Sequence, residues 1–359
     1  MNGMRLKLAR SKCGFSLRDL ESRIDNLVSA QAIGKYERGE MSPGSAVLIA
    51  LSRALGVSIP YLLASQEVEL SGVEFRTKCN TSAKDRARVE TEVIEWVERY
   101  VQIEEILALD SAGWSCPKGM PRRIKGPGDA EKLADDLRAE WQLGTGPIPS
   151  MTEVLEERGV KVLLTELPEK VSGLTCLVKR PNNRSAIPVI VANCRQTLER
   201  RRFNLAHELG HQVISPGGAE DIEKLCHRFA GALLVNGEHL RREIGGRRSS
   251  VGVREILDLK RLYRVSAAAF LMRLEQVGAL EHSQVEYAFR TYANRWRTEE
   301  PSPLENDDSE RPKRFERMVY RAAAEDMISI SKAVELLRLP LSEVENGLRG
   351  PVVAHASHR

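Results

Sequence analysis

A histidine, a glutamate and a second histidine stand at positions 207, 208 and 211, inside the run RRFNLAHELGHQVI (residues 201–214). This spacing constrains the chain more than any other feature. On a helix, residues four apart share a face, so His207 and His211 can offer two imidazole nitrogens to one ion while Glu208 stands beside them. Zinc wants that geometry: three protein ligands, one open position, and a neighbouring carboxylate that takes a proton from water. The competing reading is a helix that carries two histidines by accident. With 7 His and 50 acidic residues in 359 positions, composition yields about 0.02 chance matches to such a motif, which weighs against accident.

A third ligand is required, and the next helical run, IEKLCHRFAGALLV (residues 222–235), sets Glu223, Cys226 and His227 on one face by i, i+3, i+4 spacing. Two strand-like runs, LTCLVKR and IPVIVAN (residues 174–180 and 187–193), precede the histidine helix in a hairpin-like arrangement. Together these motifs resemble the ImmA/IrrE family of zinc metallopeptidases, whose signature is H-E-L-G-H followed by E-x-x-(A/C)-(N/H)-x-F-A. The match runs through Glu223, Cys226, His227, Phe229 and Ala230, and the resemblance covers roughly residues 129–280.

The resemblance implies that His207, His211 and Glu223 hold Zn2+ and that Glu208 is the general base. Cys226 stands where the family usually places a small residue, so a packed thiol is expected rather than a ligand. His227 is expected either beside the ligands, where it stabilises the transition state or serves as an alternate ligand, or simply exposed. A substrate must lie extended to reach zinc, and the 174–180 and 187–192 hairpin offers a sheet edge for strand addition. Arg200, Arg201 and Arg202 read as a solvated face, with contact to an acidic substrate as the alternative. His239, His282, His355 and His358 have no partner spacing and are expected at the surface.

The N-terminal region carries a different pattern. Residues 1–63 hold nine Lys or Arg against five Asp or Glu, a net +4 equal to that of the whole chain. Any basic function is therefore local, and the chain is neither a polycation nor a disordered tail. Ser16 with Asp19 and then Ser29 are helix-opening signals, Gly39 and Gly56 are stops, and Pro43 separates a further helix. Five short helices with Val28, Ser29, Ile33, Tyr36, Glu37, Gly39 and Pro43 so placed resemble the helix-turn-helix of phage-repressor type, the Xre family. The interval between Leu20 and Ser29 is two residues longer than usual. In this fold the third helix enters the major groove, which would put Ser29, Ala30, Gln31, Gly34 and Lys35 toward duplex DNA, while Ile33, Tyr36 and the 47–51 run point to the core. Gln31 suits adenine and Lys35 guanine or phosphate. The alternative is a small helical bundle for protein contacts.

Between the two regions, residues 83–109 contain no glycine or proline. One long helix is expected there, opened by Ser82 and Asp85. Val89, Val93, Trp96, Tyr100, Ile103 and Leu107 follow heptad spacing, but Ile94, Val97 and Val101 widen the face beyond a dimer seam, which favours packing inside the chain. A homodimer stays open. The glycine- and proline-rich residues 116–129 read as a hinge, and the stretch EEPSPLENDDSERP as an acidic linker.

The expected architecture is mainly α with a small β-sheet, an α+β fold. Residues 1–66 form the DNA-binding bundle and 67–128 a linker with a long helix. Residues 129–300 form a zincin-like domain, and 301–359 an acidic linker with a small helical appendage. Six cysteines without a C-x-x-C pair suggest a reducing, cytoplasmic setting. The most apolar stretch is broken by Arg53 and Pro60, so no membrane insertion is expected. The expected function is a transcriptional regulator whose peptidase domain cleaves a helix-turn-helix repressor or similar partner in stress or mobile-element circuits. The rival is a non-proteolytic, antitoxin-like repressor that grips a partner, such as a toxin, through the same fold and autoregulates its operon.

Overall fold

The computed structural model describes residues 1–63, 69–75, 83–109, 114, 116–168, 171, 173–179, 186–217, 221–305 and 308–349. Five short helices open it: α1 (Gly3–Cys13), α2 (Leu17–Arg23), α3 (Ala30–Glu37), α4 (Ser45–Leu55) and α5 (Ile59–Leu63). Their limits follow from local chemistry. The Ser16 side chain accepts from the Asp19 N–H while the Asp19 carboxylate accepts from the Ser16 N–H, a reciprocal cap. Ser29 accepts from the Ala32 N–H to start α3, and Gly56, at φ 62°, ends α4 in the left-handed region. Asp25 and Asn26 both adopt positive φ, 55° and 57°. Short polar side chains tolerate this conformation, and the long α2–α3 connection is absorbed there. Leu6, Leu20, Ile33, Tyr36, Leu51 and Leu55 form the core, but Ile49, expected inward, is 40% exposed.

The helix α6 (Ala83–Ile106) is the wall between this bundle and everything else. Ile94 enters the bundle core. Arg5, nearly buried, donates to the Tyr61 carbonyl at 3.1 Å and to Glu98 of α6 at 2.7 Å. On the other side Val89, Val93, Val97, Tyr100 and Ile103 join the core of a β-sheet and the C-terminal helices. The wide apolar face is thus covered within the chain. The expected cap at Ser82 lies outside the described residues.

That sheet contains β1 (Glu69–Phe75), β3 (Lys161–Thr165), β4 (Gly173–Lys179) and β5 (Ile187–Asn193) in the order β1-β4-β5-β3. β4 is antiparallel to both β1 and β5, and β3 is parallel to β5. The β4–β5 pair is the expected hairpin; β1 was not expected. Buried Lys161 on β3 pairs with Glu104 of α6 and lies 4.5 Å from the centre of the Tyr100 ring. The segment read as a hinge instead contributes β2 (Arg122–Ile124), parallel to β6 (Ile214–Pro216). Around the sheet stand α7 (Pro127–Glu140), α8 (Met151–Glu157), α9 (Leu198–Val213), α10 (Ile222–Leu234), α11 (Gly237–Ile244), α12 (Val253–Tyr263), α13 (Ala267–Gln276) and α14 (His282–Arg290). Leu133, Leu205, Leu209, Phe229, Leu233 and Phe270 are fully buried at their common core. The whole is an α+β fold, mostly helical.

The stretch EEPSPLENDDSERP, read as an acidic linker, is fastened to the N-terminal part of α9 through Glu300 and Glu310. Glu310 pairs with Arg202 with neither side chain exposed, and its carboxylate accepts from the Met151 and Thr152 N–H groups at 2.9 Å, capping α8. Lys260 donates to Glu199 and to Glu300, each at 2.8 Å. Beyond them α15 (Arg314–Ala324), α16 (Ile330–Leu337) and α17 (Leu341–Arg349) place Met318, Val319, Leu336 and Val344 in the core shared with α6. The C-terminal region is therefore packed into the fold rather than appended to it.

One buried carboxyl gives a pH test. Burial pushes Glu156 up to about 7, against the opposing hydrogen bond from the Arg314 N–H. Between pH about 4.5 and 7 the unfolded chain releases this proton while the folded chain keeps it, so this group's stabilising share is present below the window and lost as pH rises through it. Glu156→Gln should remove that slope and stabilise the protein above pH 7 by up to about 3 kcal/mol, measured by denaturant unfolding at pH 5 and pH 8.

Candidate metal centre and nucleic-acid face

The helix α9 begins at Thr197, whose side chain accepts from the Arg200 N–H, and runs to Val213. His207 and His211 lie one turn apart on it. Helix α10 starts at Asp221, which accepts from the Glu223 N–H at 3.0 Å, so Glu223 sits in its first turn. Gly210 decides how closely the two helices cross. A Cβ there would meet Cys226 Sγ at 3.2 Å and Phe229 at 3.2 Å, tighter than ordinary contact. The close crossing swings Glu223 onto the histidines.

The resulting separations are specific. His207 Nε2 stands 3.2 Å from His211 Nε2 and 3.2 Å from Glu223 Oε2, and His211 Nε2 is 3.7 Å from Glu223 Oε1. Ligands about 2.1 Å from a tetrahedral ion are about 3.4 Å apart, so all three distances fit one zinc. Among the described residues this is the single group of three or more His, Cys, Asp or Glu side chains gathered closely enough for a metal. The histidines are largely buried and Glu223 is half-exposed, so the group opens to solvent on the glutamate side.

Glu208 is buried and reaches toward the start of β4, where a Cβ on Gly173 would lie 3.7 Å from its Oε1. Two residues along, Thr175 accepts from Gln212 Nε2 at 2.6 Å. Strand β4 is thereby held against the histidine helix at the level of the carboxylate. Gly173, Thr175 and Gln212 escaped sequence reasoning; the glycine opening a strand was the available signal. Cys226 is buried, its sulfur 3.4 Å from His211 Nδ1, on the side of that ring away from the Nε2 that faces His207 and Glu223. His227 is exposed: its Nδ1 donates to the Glu223 carbonyl at 2.7 Å, and its ring lies edge-on to His207, centroids 4.4 Å apart.

Other expectations need correction. Arg201 and Arg202 are buried, the latter in the pair with Glu310, and only Arg200 is exposed. They are neither a solvated face nor a substrate patch. His239 is half-buried, its Nδ1 2.7 Å from the Tyr263 hydroxyl. His282 is exposed, as expected, and a hydrogen bond to Glu275 raises its pKa. His355 and His358 lie outside the described residues.

On the bundle, Ser29, Gln31 and Lys35 are exposed along one side of α3, with Ala30 half-buried between them. Gly34 departs from the expected face. It is buried, and a Cβ there would make ordinary contact with Leu17 of α2 at 3.5 Å, so the position faces α2 rather than the exposed side of α3.

The sequence matches two family models. Residues 155–275 match the IrrE N-terminal-like domain of peptidase family M78, a span that contains His207, Glu208, His211 and Glu223, and residues 6–62 match a helix-turn-helix model. A comparison with curated proteins found no match. No described helix is long and apolar enough to cross a membrane.

The α9–α10 crossing can be tested without any metal. Gly210→Val adds atoms where Cys226 and Phe229 already press, and overpacking of this kind costs about 1–3 kcal/mol. The midpoint of unfolding in a chelator should fall accordingly, whereas Gly246→Val, which faces open space, should leave it within error.

Proposed function

Because the chain unites a helix-turn-helix DNA-binding domain with an IrrE-type peptidase-family domain, we propose that it is a cytoplasmic transcriptional regulator whose second domain is a zinc-dependent endopeptidase acting on a protein partner. The observation that carries this is the convergence of His207, His211 and Glu223 at tetrahedral-ligand separations, with Glu208 turned to the adjacent strand. Bound zinc supplies Lewis acidity toward a peptide carbonyl and toward water. The two imidazoles and the Glu223 carboxylate hold it, and Cys226 braces the far side of the His211 ring. Glu208 takes the proton of the attacking water and delivers it to the leaving amine nitrogen. An extended substrate backbone lies along the strand beside it. The partner class that suits such a fusion is a helix-turn-helix repressor or a toxin-like protein encoded nearby.

Metal analysis of the purified protein should give about one zinc per chain. His207→Ala should lose it and Glu223→Ala should bind it far more weakly; full retention in both would sink the ligand set. Glu208→Gln keeps shape but has no basicity, so it should keep zinc and DNA binding while cleavage of a co-expressed neighbouring partner stops. Identical partner patterns and repression in wild type and Glu208→Gln would leave the antitoxin-like repressor as the reading.

For the DNA face, operator binding should weaken steeply with salt as phosphate contacts release counterions. Gln31→Ala should change sequence preference by about 1–3 kcal/mol at one base pair, whereas Lys35→Ala should weaken all sequences more evenly. A chain lacking residues 1–66 that still bound the same operator would refute the assignment.

A further inference from the structure

We infer that strand β1 occupies, in cis, the edge of β4 along which an extended polypeptide must lie to reach Glu208, so that the chain holds its own site closed. What the site does when open rests on the peptidase reading; where the strand lies does not. A strand has two hydrogen-bonding edges, and both edges of β4 are taken. β5 pairs along one of them from Gly173↔Ala192 to Val178↔Ile187. β1 pairs along the other from Glu69↔Lys179 to Phe75↔Leu174. The last two pairs, Glu74↔Thr175 and Phe75↔Leu174, fall beside the two β4 residues that meet the histidine helix, Gly173 at Glu208 and Thr175 at Gln212. Among the described strands the other edge of the sheet belongs to β3, which β5 separates from β4. A substrate that adds to β4 as a neighbouring strand finds neither edge of β4 open until β1 leaves.

The pairing of β1 is interrupted. Between Ser71 and Glu74 it advances three residues while β4 advances two, from Leu177 to Thr175, a bulge that interrupts the ladder. Gly72 lies within that bulge, where a residue without a side chain adds no packing. β1 is also inserted between α5, whose Tyr61 and Leu62 sit in the bundle core, and α6, whose Ile94 enters the same core. Both ends of the strand are thus attached to the DNA-binding bundle, so a shift of the bundle against the sheet acts on β1 directly. The ligand class for the freed edge is an extended, antiparallel polypeptide strand, competing with β1 itself.

The test measures occupancy of the edge rather than hydrolysis, with the full chain carrying Glu208→Gln so that nothing is cut. The probe is a labelled peptide of the β1 sequence, ELSGVEF, followed by fluorescence anisotropy. One variant adds Leu70→Pro with Ser71→Pro, which removes two consecutive N–H donors from β1. A second adds Ser71→Cys with Leu177→Cys, facing positions in the pairing, so that oxidation ties the strand down. If the edge is free about one-tenth of the time, releasing β1 should tighten peptide binding about tenfold, and amide exchange over residues 174–178 should quicken. The oxidised cysteine variant should lose peptide binding and regain it on reduction. Equal affinity in parent, proline and oxidised forms would overturn the inference; if the proline variant fails to fold, the oxidised-against-reduced comparison decides alone. Absence of partner cleavage by the proline variant with Glu208 intact, with these affinity differences preserved, would reject the peptidase reading and leave the cis strand standing.

Discussion

The ion pair between Arg202 and Glu310, with both side chains wholly out of water, fixes the helix on which the site depends. Removing either partner of such a pair strands a buried charge at a cost of about 3–5 kcal/mol. The pair is further embedded: Arg202 donates to the Pro149 and Ile148 carbonyls, and Glu310 caps α8. Glu199, in the same turn of α9, is clamped by Lys260. With its first turn pinned in this way, α9 has one rotation about its axis, and the two histidines further along inherit it. Gly210 then sets the distance to α10 and so brings in Glu223.

A second constraint is the sharing of α6. Its Ile94 belongs to one core and its Val93 and Val97 to another. Separating the bundle from the sheet would therefore expose apolar surface on a helix that is buried on both flanks, at about 25 cal/mol per Å². Buried Arg5 and Lys161, paired with Glu98 and Glu104, add a polar register to this contact. The side of α3 that exposes Gln31 and Lys35 is left free of this packing.

The legible parts of the sequence were those in which chemistry and periodicity coincide within one or two helices. The His207, Glu208, His211 spacing and the Glu223 that follows needed no tertiary knowledge, and the caps at Ser16 and Ser29 located their helices within a residue. What stayed illegible depended on partners far along the chain. Glu310 sits in a proline-bearing acidic stretch that reads as a linker, because composition cannot disclose that Arg202, 108 positions earlier, neutralises it in the core. Arg201 and Arg202 misled for the same reason. β1 contains a glycine and a bulge, carries no strong alternation, and owes its existence to pairing with β4 about a hundred residues on. Gly34, expected on the DNA-facing side of α3, is buried against Leu17 of α2.

A strand tethered at both ends competes differently from a free peptide. Short linkers hold a segment near its site at effective concentrations in the millimolar range, so β1 outcompetes any extended polypeptide that offers backbone pairing alone. A productive partner must then add contacts elsewhere, or the bundle must first draw β1 away. Either route makes access to Glu208 depend on the identity of the partner rather than on the abundance of unfolded chains. The Ser71–Glu74 bulge interrupts the cis pairing, and α5 and α6, which flank β1 along the chain, both pack into one bundle core.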